Sequence, residues 1–269
     1  MTSPTPSLLT PDELATYESE GFLGPYPLLD AAEIDAVLHD HRETFRSVPW
    51  YKSLHVYDSA CFRAAARPEI LDRLTPILGP DVLLWATQVM VKPPSQNHRW
   101  HVDIETLAWR SVNVWVALKN VTLQSTIQLV PRSHHFGPCP QDLERSEQLD
   151  LGDGDAILQA ARRFDPDAEL VSIDLRPGEF VIFDGLLWHG SENTTDATRS
   201  ALLTQYSPTD VDTRIPATFE PPIEWKTERP ACVVVRGQDQ AGRNRLVDPG
   251  PMATRSLRDR VRDKVRSPS

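Results

Sequence analysis

The sequence predicts a mainly β protein, a double-stranded β-helix (jelly roll, cupin-like) with flanking N-terminal helices. Helix-capping signals are concentrated before Asp81. From Asp81 onward, short runs that alternate or are fully apolar are separated by Pro, Gly, Asn and Asp, which is typical of a barrel or sandwich. The number and spacing of these runs favour a jelly roll among such folds.

Three helices are predicted before the first strand. Thr10 and Glu13 form a capping box around Pro11, so the first helix is expected to run from Pro11 to near Gly21. A third helix is predicted over residues 68–78, where the helical period of apolar residues continues until a Gly-Pro pair. Between them, a second helix is predicted, with one face formed by Ile34, Val37, Leu38, His41 and Phe45.

Six strands are predicted in the rest of the chain. They lie near Val82 to Val91, Arg110 to Leu118, Ile127 to Val130, Leu170 to Leu175, Glu179 to Phe183 and Ser200 to Tyr206. A polar, acidic insert with one predicted helix separates the third strand from the fourth, over residues 138–169. Long inserts in compact domains are often lids, although a tolerated surface excursion is an equal alternative.

Length and composition are compatible with a single domain over residues 1–269, with a core at about 9–206 and a C-terminal extension at 207–269. The formal net charge of -10 and the pI of about 5.3 argue against nucleic acid or an anionic membrane as the main partner. The N-terminal segment resembles neither a signal peptide nor a membrane anchor. An odd number of widely spaced cysteines predicts a reducing, cytoplasmic location, and the oligomeric state is left undetermined. These cysteines are Cys61, Cys139 and Cys232.

His101 and Asp103 stand two residues apart just before a strongly alternating run. Alone, the pair is weak evidence, because roughly 0.7 such pairs are expected by chance in a chain with eight His. On a strand or strand edge, however, the period of two places both side chains on one face. His189, at the end of an apolar segment, is the best candidate for a third ligand. Two His and one carboxylate form the facial triad of non-haem Fe(II) oxygenases, so the sequence predicts a metal site here. His98, in "PPSQNH", is interpreted as a loop residue and not as a ligand.

Arg199 is the second candidate functional residue. It begins an alternating strand in which Arg199, Ala201, Leu203 and Gln205 would share one face. An Arg directed into an apolar barrel needs an anionic partner, because an unpaired buried charge is costly. A dicarboxylate cosubstrate would supply that partner through a bidentate contact. A place on the surface of the strand is the alternative.

Four segments, in this order and spacing, resemble the phytanoyl-CoA dioxygenase-like (PhyH) family of Fe(II)- and 2-oxoglutarate-dependent oxygenases. They are "WHVD", "VNVWVAL", "LVPRSHHFG" and "PGEFVIFDGLLWHGSENTTDATR". The resemblance extends over about Leu9 to Tyr206. It departs from the family where Thr126 and Arg132 replace common glycines.

The resemblance implies Fe(2+), 2-oxoglutarate as cosubstrate and O2. It assigns the iron to His101, Asp103 and His189, and the distal carboxylate of 2-oxoglutarate to Arg199, with Ser191 beside it. Gln88, Trp115 and Asn113 are expected near the cosubstrate, although Trp115 could equally lie in the core and Gln88 could face solvent. His134 is expected to shape the pocket mouth without binding iron.

The implied function is hydroxylation of a small metabolite or natural-product intermediate, with release of succinate and CO2. Asp103 favours hydroxylation over halogenation, because a small residue replaces this carboxylate in related halogenases. Desaturation, epimerisation or cyclisation by the same chemistry stays open. Two further alternatives are a zinc hydrolase with the same three ligands and a metal-free jelly-roll binding module.

Overall fold

Two β-sheets and a layer of helices form the fold in the computed structural model, which describes residues 8–44, 48, 50–104, 109–214 and 229–248. Before the first long strand, the helices are α1 (Pro11–Glu20), α2 (Ala31–Thr44), α3 (Leu54–Tyr57), α4 (Ser59–Ala65) and α5 (Pro68–Leu78). Two more helices, α6 (Pro140–Glu147) and α7 (Gly154–Ala161), lie in the insert, after a short 3-10 turn at Ser133–His135.

The strands are short except for three that carry the large sheet. In chain order they are β1 (Phe22–Pro27), β2 (Val82–Lys92), β3 (Asn97–His101), β4 (Val112–Lys119), β5 (Gln128–Leu129), β6 (Val171–Ser172), β7 (Glu179–Asp184), β8 (His189–Glu192), β9 (Arg199–Pro208), β10 (Ala231–Arg236) and β11 (Arg245–Leu246). The large sheet has the order β1-β7-β4-β9-β2-β10-β11, and the small sheet has the order β3-β8-β5-β6. Neighbouring strands are antiparallel except for β10 and β11. This architecture confirms the predicted jelly roll.

The two faces of the large sheet bury different partners. Along β4, Val112, Val114 and Val116 belong to a core that is shared with α1, α2, α4 and α5. Trp115 and Ala117, on the other face, pack with residues of the small sheet such as Leu129. The space between the sheets is therefore walled by alternate residues of the long strands, as the period of two requires.

The helix predictions are confirmed closely where residues next to the ends of a helix determine its bounds. Thr10 and Glu13 form the predicted capping box, and α5 has the predicted bounds. On α2, Ile34, Val37 and His41 are buried as expected, whereas Phe45 lies outside the described residues. The predictions missed α3, α4 and one of the two helices in the insert.

The strand predictions found β2, β4, β5, β6, β7 and β9. The interpretation of "PPSQNH" as a loop was right for residues 93–96, which form a turn, and wrong for Asn97 and His98, which belong to β3. The predictions also missed β1, β8, β10 and β11. None of the described helices combines the length and the apolar character that crossing a membrane requires.

Candidate functional site

The pairing of β3 with β8 brings the three predicted metal ligands together. His101 is the last residue of β3, His189 is the first of β8, and the two face each other in the antiparallel register. Asp103 follows two residues after His101, and its backbone N–H donates to the Gly185 carbonyl at 3.1 Å. Residues that are far apart in sequence therefore meet at one end of the small sheet.

The ligand atoms of these residues face a common point. One donor atom from each of His101, Asp103 and His189 lies within 4.8 Å of the other two. The Asp103 carboxylate lies 3.4 Å from His189 Nε2 and 4.0 Å from His101 Nε2. Such a convergence of two imidazoles and a carboxylate suits a divalent cation.

Hydrogen bonds determine which imidazole nitrogen is presented. His101 Nδ1 lies 2.7 Å from the Arg99 carbonyl, and His189 Nδ1 lies 2.8 Å from the Leu187 carbonyl. A carbonyl oxygen only accepts, so each Nδ1 carries the proton and each Nε2 keeps its lone pair for a ligand. This is the arrangement that holds metal-binding histidines in one tautomer.

The ionisation states also fit metal binding. Burial and the nearby His189 lower the pKa of His101 to about 3, so this imidazole is neutral at pH 7. Burial opposes ionisation of Asp103, but the Lys52 ammonium outweighs it and holds the pKa of this carboxyl well below its usual range. A neutral imidazole and a carboxylate are the forms that metal ligation requires.

Asp103 also belongs to a closed ring of polar side chains. Asn113 Nδ2 donates to Asp103 Oδ2 at 2.8 Å, and Gln205 Nε2 donates to Asn113 Oδ1 at 3.1 Å. Lys52 Nζ completes the ring, with 3.3 Å to Gln205 Oε1 and 3.5 Å to Asp103 Oδ1. Asn113 therefore supports Asp103 and is fully buried.

Arg199 lies buried between the sheets with part of its guanidinium unused. Its side chain is 1% exposed. Nε donates to the Ser125 carbonyl at 2.8 Å and Nη2 donates to Ser191 Oγ at 2.6 Å, whereas Nη1 has no hydrogen-bond partner. The carbon between these nitrogens lies 5.3 Å from the Trp115 ring centre, and burial lowers the pKa of Arg199 to about 10. Across the described ranges, no carboxylate forms a salt bridge with Arg199, so the site fits an anionic ligand that would pair with it.

A cavity of about 1330 Å³ reaches the three candidate ligands. Its wall includes Gln88, Trp115 and Ser191, as predicted for the cosubstrate region, but neither Asn113 nor Arg199, which lies behind its hydrogen-bond partner Ser191. The outer wall is aromatic and cationic, and includes Trp50, Tyr51, Lys52, Trp85, Lys92 and Arg99.

Two histidines outside the ligand set lie elsewhere than the sequence indicated. His98 is on β3 with its ring centre 4.7 Å from that of His101, yet it is not part of the ligand cluster. His134 does not line the described cavity; its Nε2 lies 3.1 Å from the Glu18 carbonyl at the end of α1. Arg132, at a position where the family commonly has glycine, has a φ of 66° and forms salt bridges with Glu20 and Asp165.

Sequence reasoning missed Lys52 and Gln141 and did not assign a role to Gln205. Gln205 had a usable signal, because it shares the inward strand face of Arg199. Lys52 and Gln141 belong to no motif, and only the tertiary structure brings them to the His101–Asp103 segment. Gln141 hydrogen-bonds the backbone of Val102, between the two residues of the H-x-D pair.

Comparisons with known proteins agree with this arrangement. The family model described as phytanoyl-CoA dioxygenase (PhyH) matches residues 17–201. Peroxisomal phytanoyl-CoA dioxygenase of Rattus norvegicus is 28% identical over 160 residues, which are 55% of this chain and 46% of that protein. Ectoine dioxygenase of Streptomyces avermitilis is 28% identical over 235 residues, which are 74% of this chain and 79% of that protein.

Solved structures share the fold at lower sequence identity. The structure described as CytC3 with Fe(II) and alpha-ketoglutarate has a TM-score of 0.66 at 23% identity, covering 90% of this chain and 94% of that chain. The non-heme monooxygenase ThoJ has a TM-score of 0.64 at 22% identity, covering 87% and 86%. The chain spans about half the length of the curated phytanoyl-CoA dioxygenases that it matches.

Proposed function

Because this chain belongs to the phytanoyl-CoA dioxygenase (PhyH) family, we propose that it is an Fe(II)- and 2-oxoglutarate-dependent oxygenase that hydroxylates a small organic molecule. The observation that carries the proposal is the combination of a candidate metal site with a buried cationic group that has no counterion. Three metal-ligand side chains converge within 4.8 Å, and a buried guanidinium nearby has an unused Nη1. A metal hydrolase would need the first feature but not the second.

In this proposal, His101, Asp103 and His189 hold Fe(II) through two Nε2 atoms and one carboxylate. Arg199 and Ser191 bind the distal carboxylate of 2-oxoglutarate, because their hydrogen bond already joins them and Nη1 is free to donate. Trp115 walls this part of the cavity and excludes water. Gln88, on the cavity wall, is placed to contact the cosubstrate.

Iron and 2-oxoglutarate, when bound with O2, supply an oxidant that breaks a C–H bond, with release of succinate and CO2. The chain's own contribution is to fix the ligands and to enclose the reacting groups. The ring of Asn113, Gln205 and Lys52 holds the Asp103 carboxylate in one orientation. The aromatic outer wall keeps water away and positions an organic substrate, which lowers the entropic cost of reaction.

The substrate class is proposed as a small metabolite. The match to ectoine dioxygenase, which covers most of both chains, supports it, as does a cavity of about 1330 Å³. The three cysteines are free and buried, which supports the reducing, cytoplasmic location that we propose.

Anaerobic addition of Fe(II) and 2-oxoglutarate tests the proposal. We expect a weak visible charge-transfer band, followed by oxygen-dependent formation of succinate. Asp103→Gly should abolish hydroxylation, because one candidate metal ligand and one negative charge are lost, and full retained turnover in this variant would contradict the assignment of Asp103. Wild-type protein that gives neither a band nor succinate would contradict the proposal, and turnover that needs no oxygen would favour a hydrolase.

A further inference from the structure

One side chain of the insert reaches the backbone between two candidate metal ligands. Gln141, on α6, accepts a hydrogen bond at Oε1 from the Val102 N–H at 3.0 Å and donates from Nε2 to the Val102 carbonyl at 2.9 Å. Val102 stands between His101 and Asp103. Gln141 is 8% exposed and Val102 is 2% exposed, so both hydrogen bonds are shielded from water.

The Gln141 side-chain amide forms the hydrogen bonds that a neighbouring strand would otherwise form with Val102. β3 ends at His101, and its pairing with β8 is irregular between His98 and His101. The next backbone N–H and carbonyl would be buried without partners if Gln141 did not contact them, and an unsatisfied buried backbone group is costly. Beyond Val102, the Asp103 N–H is held by Gly185. The peptide segment that joins the two ligands is thus fixed from both sides.

Other contacts keep the insert against the same strand. The Trp100 N–H donates to the Leu151 carbonyl at 2.9 Å. The Val102 side chain packs in one apolar cluster with Leu143 of α6, Leu151 and Trp188. Arg99 and Glu144 form an ion pair at the edge of this contact. The part of the insert next to β3 is therefore packed against this strand and does not form a separate flap.

We propose that Gln141 is a positioning residue that sets the separation of His101 from Asp103 and thereby raises the metal affinity of the site. The inference rests on the proposed function, since it assumes that these residues bind a metal. Coupling between two sites is reciprocal. If the Gln141 contact favours metal binding, metal binding stabilises the docking of α6 on β3 by the same factor. The stability of the α6 contact with β3 then depends on whether the metal site is filled.

Cobalt(II) binding tests the positioning role, because its visible d–d spectrum reports ligand geometry without requiring turnover. Gln141→Met keeps the length of the side chain and removes both hydrogen bonds. We expect Co(II) affinity to fall about tenfold or more, with a changed d–d spectrum, as for the loss of other supporting contacts at metal sites. Ser146→Ala on the exposed side of α6 is the matched control and should leave both unchanged. Unchanged affinity and spectrum in a folded Gln141→Met protein would overturn the inference.

A second measurement needs no variant. Amide hydrogen exchange of wild-type α6 is compared with and without Co(II), with α5 as an internal reference that lies outside the insert. We expect slower exchange in α6 on metal binding and no change in α5. Equal exchange in α6 in both states would overturn the inference. A wild-type protein that binds no Co(II) and no Fe(II) would instead contradict the proposed function itself.

Discussion

Arg199 is the residue whose surroundings imply most about a ligand. A guanidinium that is 1% exposed keeps two of its nitrogens bonded to Ser125 and Ser191, while Nη1 has no partner. Such an unsatisfied charged group is expensive in an apolar interior unless a ligand completes it. The structure therefore holds a binding group ready at a cost in stability, which is common for functional sites.

Replacing Arg199 with Met should weaken 2-oxoglutarate binding by roughly 100-fold, because a charge-assisted contact of about 3 kcal/mol is lost. Titration of the anaerobic Fe(II) protein with 2-oxoglutarate, followed through the charge-transfer band, measures this change. Lys92→Met is the matched control, since Lys92 faces Arg199 in the strand register but bonds to the Asn97 carbonyl. Equal affinity in the Arg199 variant and in wild type would exclude its assigned role.

We expect Lys52 to have a different role before and after metal binding. In the structure its ammonium is the cation nearest to the buried Asp103 carboxylate, at 3.5 Å. A bound divalent ion would provide that charge instead. Lys52→Met should therefore lower the unfolding free energy of the metal-free protein by roughly 3 kcal/mol, the cost of leaving a buried carboxylate without its cation.

Urea unfolding in the presence of EDTA and in excess Co(II) measures the effect of Lys52→Met. The loss should shrink or vanish in excess Co(II). The same loss under both conditions would show that Lys52 acts only through packing. Lys92→Met, at another cation of the cavity wall, serves as the control.

Among the secondary-structure elements, α3 contains a buried histidine outside the candidate metal site. His55 is fully buried, its Nε2 lies 2.8 Å from the Ala231 carbonyl on β10, and its Nδ1 has no partner. Burial lowers the pKa of His55 to about 4. The neutral ring therefore joins α3 to β10 of the large sheet.

This histidine should make stability depend on pH. The unfolded imidazole titrates near 6.5, so between that value and about 4 the unfolded chain binds the extra proton. The unfolding free energy should fall as the pH is lowered through this window, with roughly 2 kcal/mol from His55 between pH 7.5 and pH 5. Denaturant unfolding of wild type and of His55→Gln, which keeps the donor to Ala231, measures the difference. An equal pH slope in both proteins would rule out this contribution.

How well each element was predicted depends on whether its cause is local. The first and third helices were predicted nearly to the residue, because Thr10, Glu13 and Gly79 act within one or two turns. β3 and β8 were missed as strands because each is short and polar and forms through pairing with strands distant in sequence, β3 with β8 and β8 also with β5. The candidate ligands themselves were still identified, since their chemistry is visible in the sequence. The supporting residues Lys52 and Gln141 were not, because their contacts depend on how separate segments pack.

The complete site draws on almost every layer of the fold. The small sheet supplies His101 and His189, and the large sheet supplies Arg199. The segment before β2 adds Lys52, and the insert adds Gln141. No single segment of the chain contains more than two of these groups, so the site can form only when the two sheets and the insert are packed together.

Ligands that bind across these layers should stabilise the folded protein. At 100 times the dissociation constant the gain is about 2.7 kcal/mol, which corresponds to a rise in melting temperature of roughly 5–10 °C for a chain of this size. Thermal unfolding with Co(II) and 2-oxoglutarate together measures it. His101→Ala should abolish the response to the metal. A wild-type melting temperature that does not change when both ligands are added would contradict the proposed site.

The aromatic wall formed by Trp50, Tyr51 and Trp85 comes from stretches of chain that contribute no candidate metal ligand. Substitutions there can reshape the space for an organic molecule while leaving the candidate metal ligands unchanged. Selection on new compounds can therefore act on one part of the protein without dismantling the other. A laboratory that wishes to redirect this protein toward a different molecule should begin its mutagenesis at these three positions.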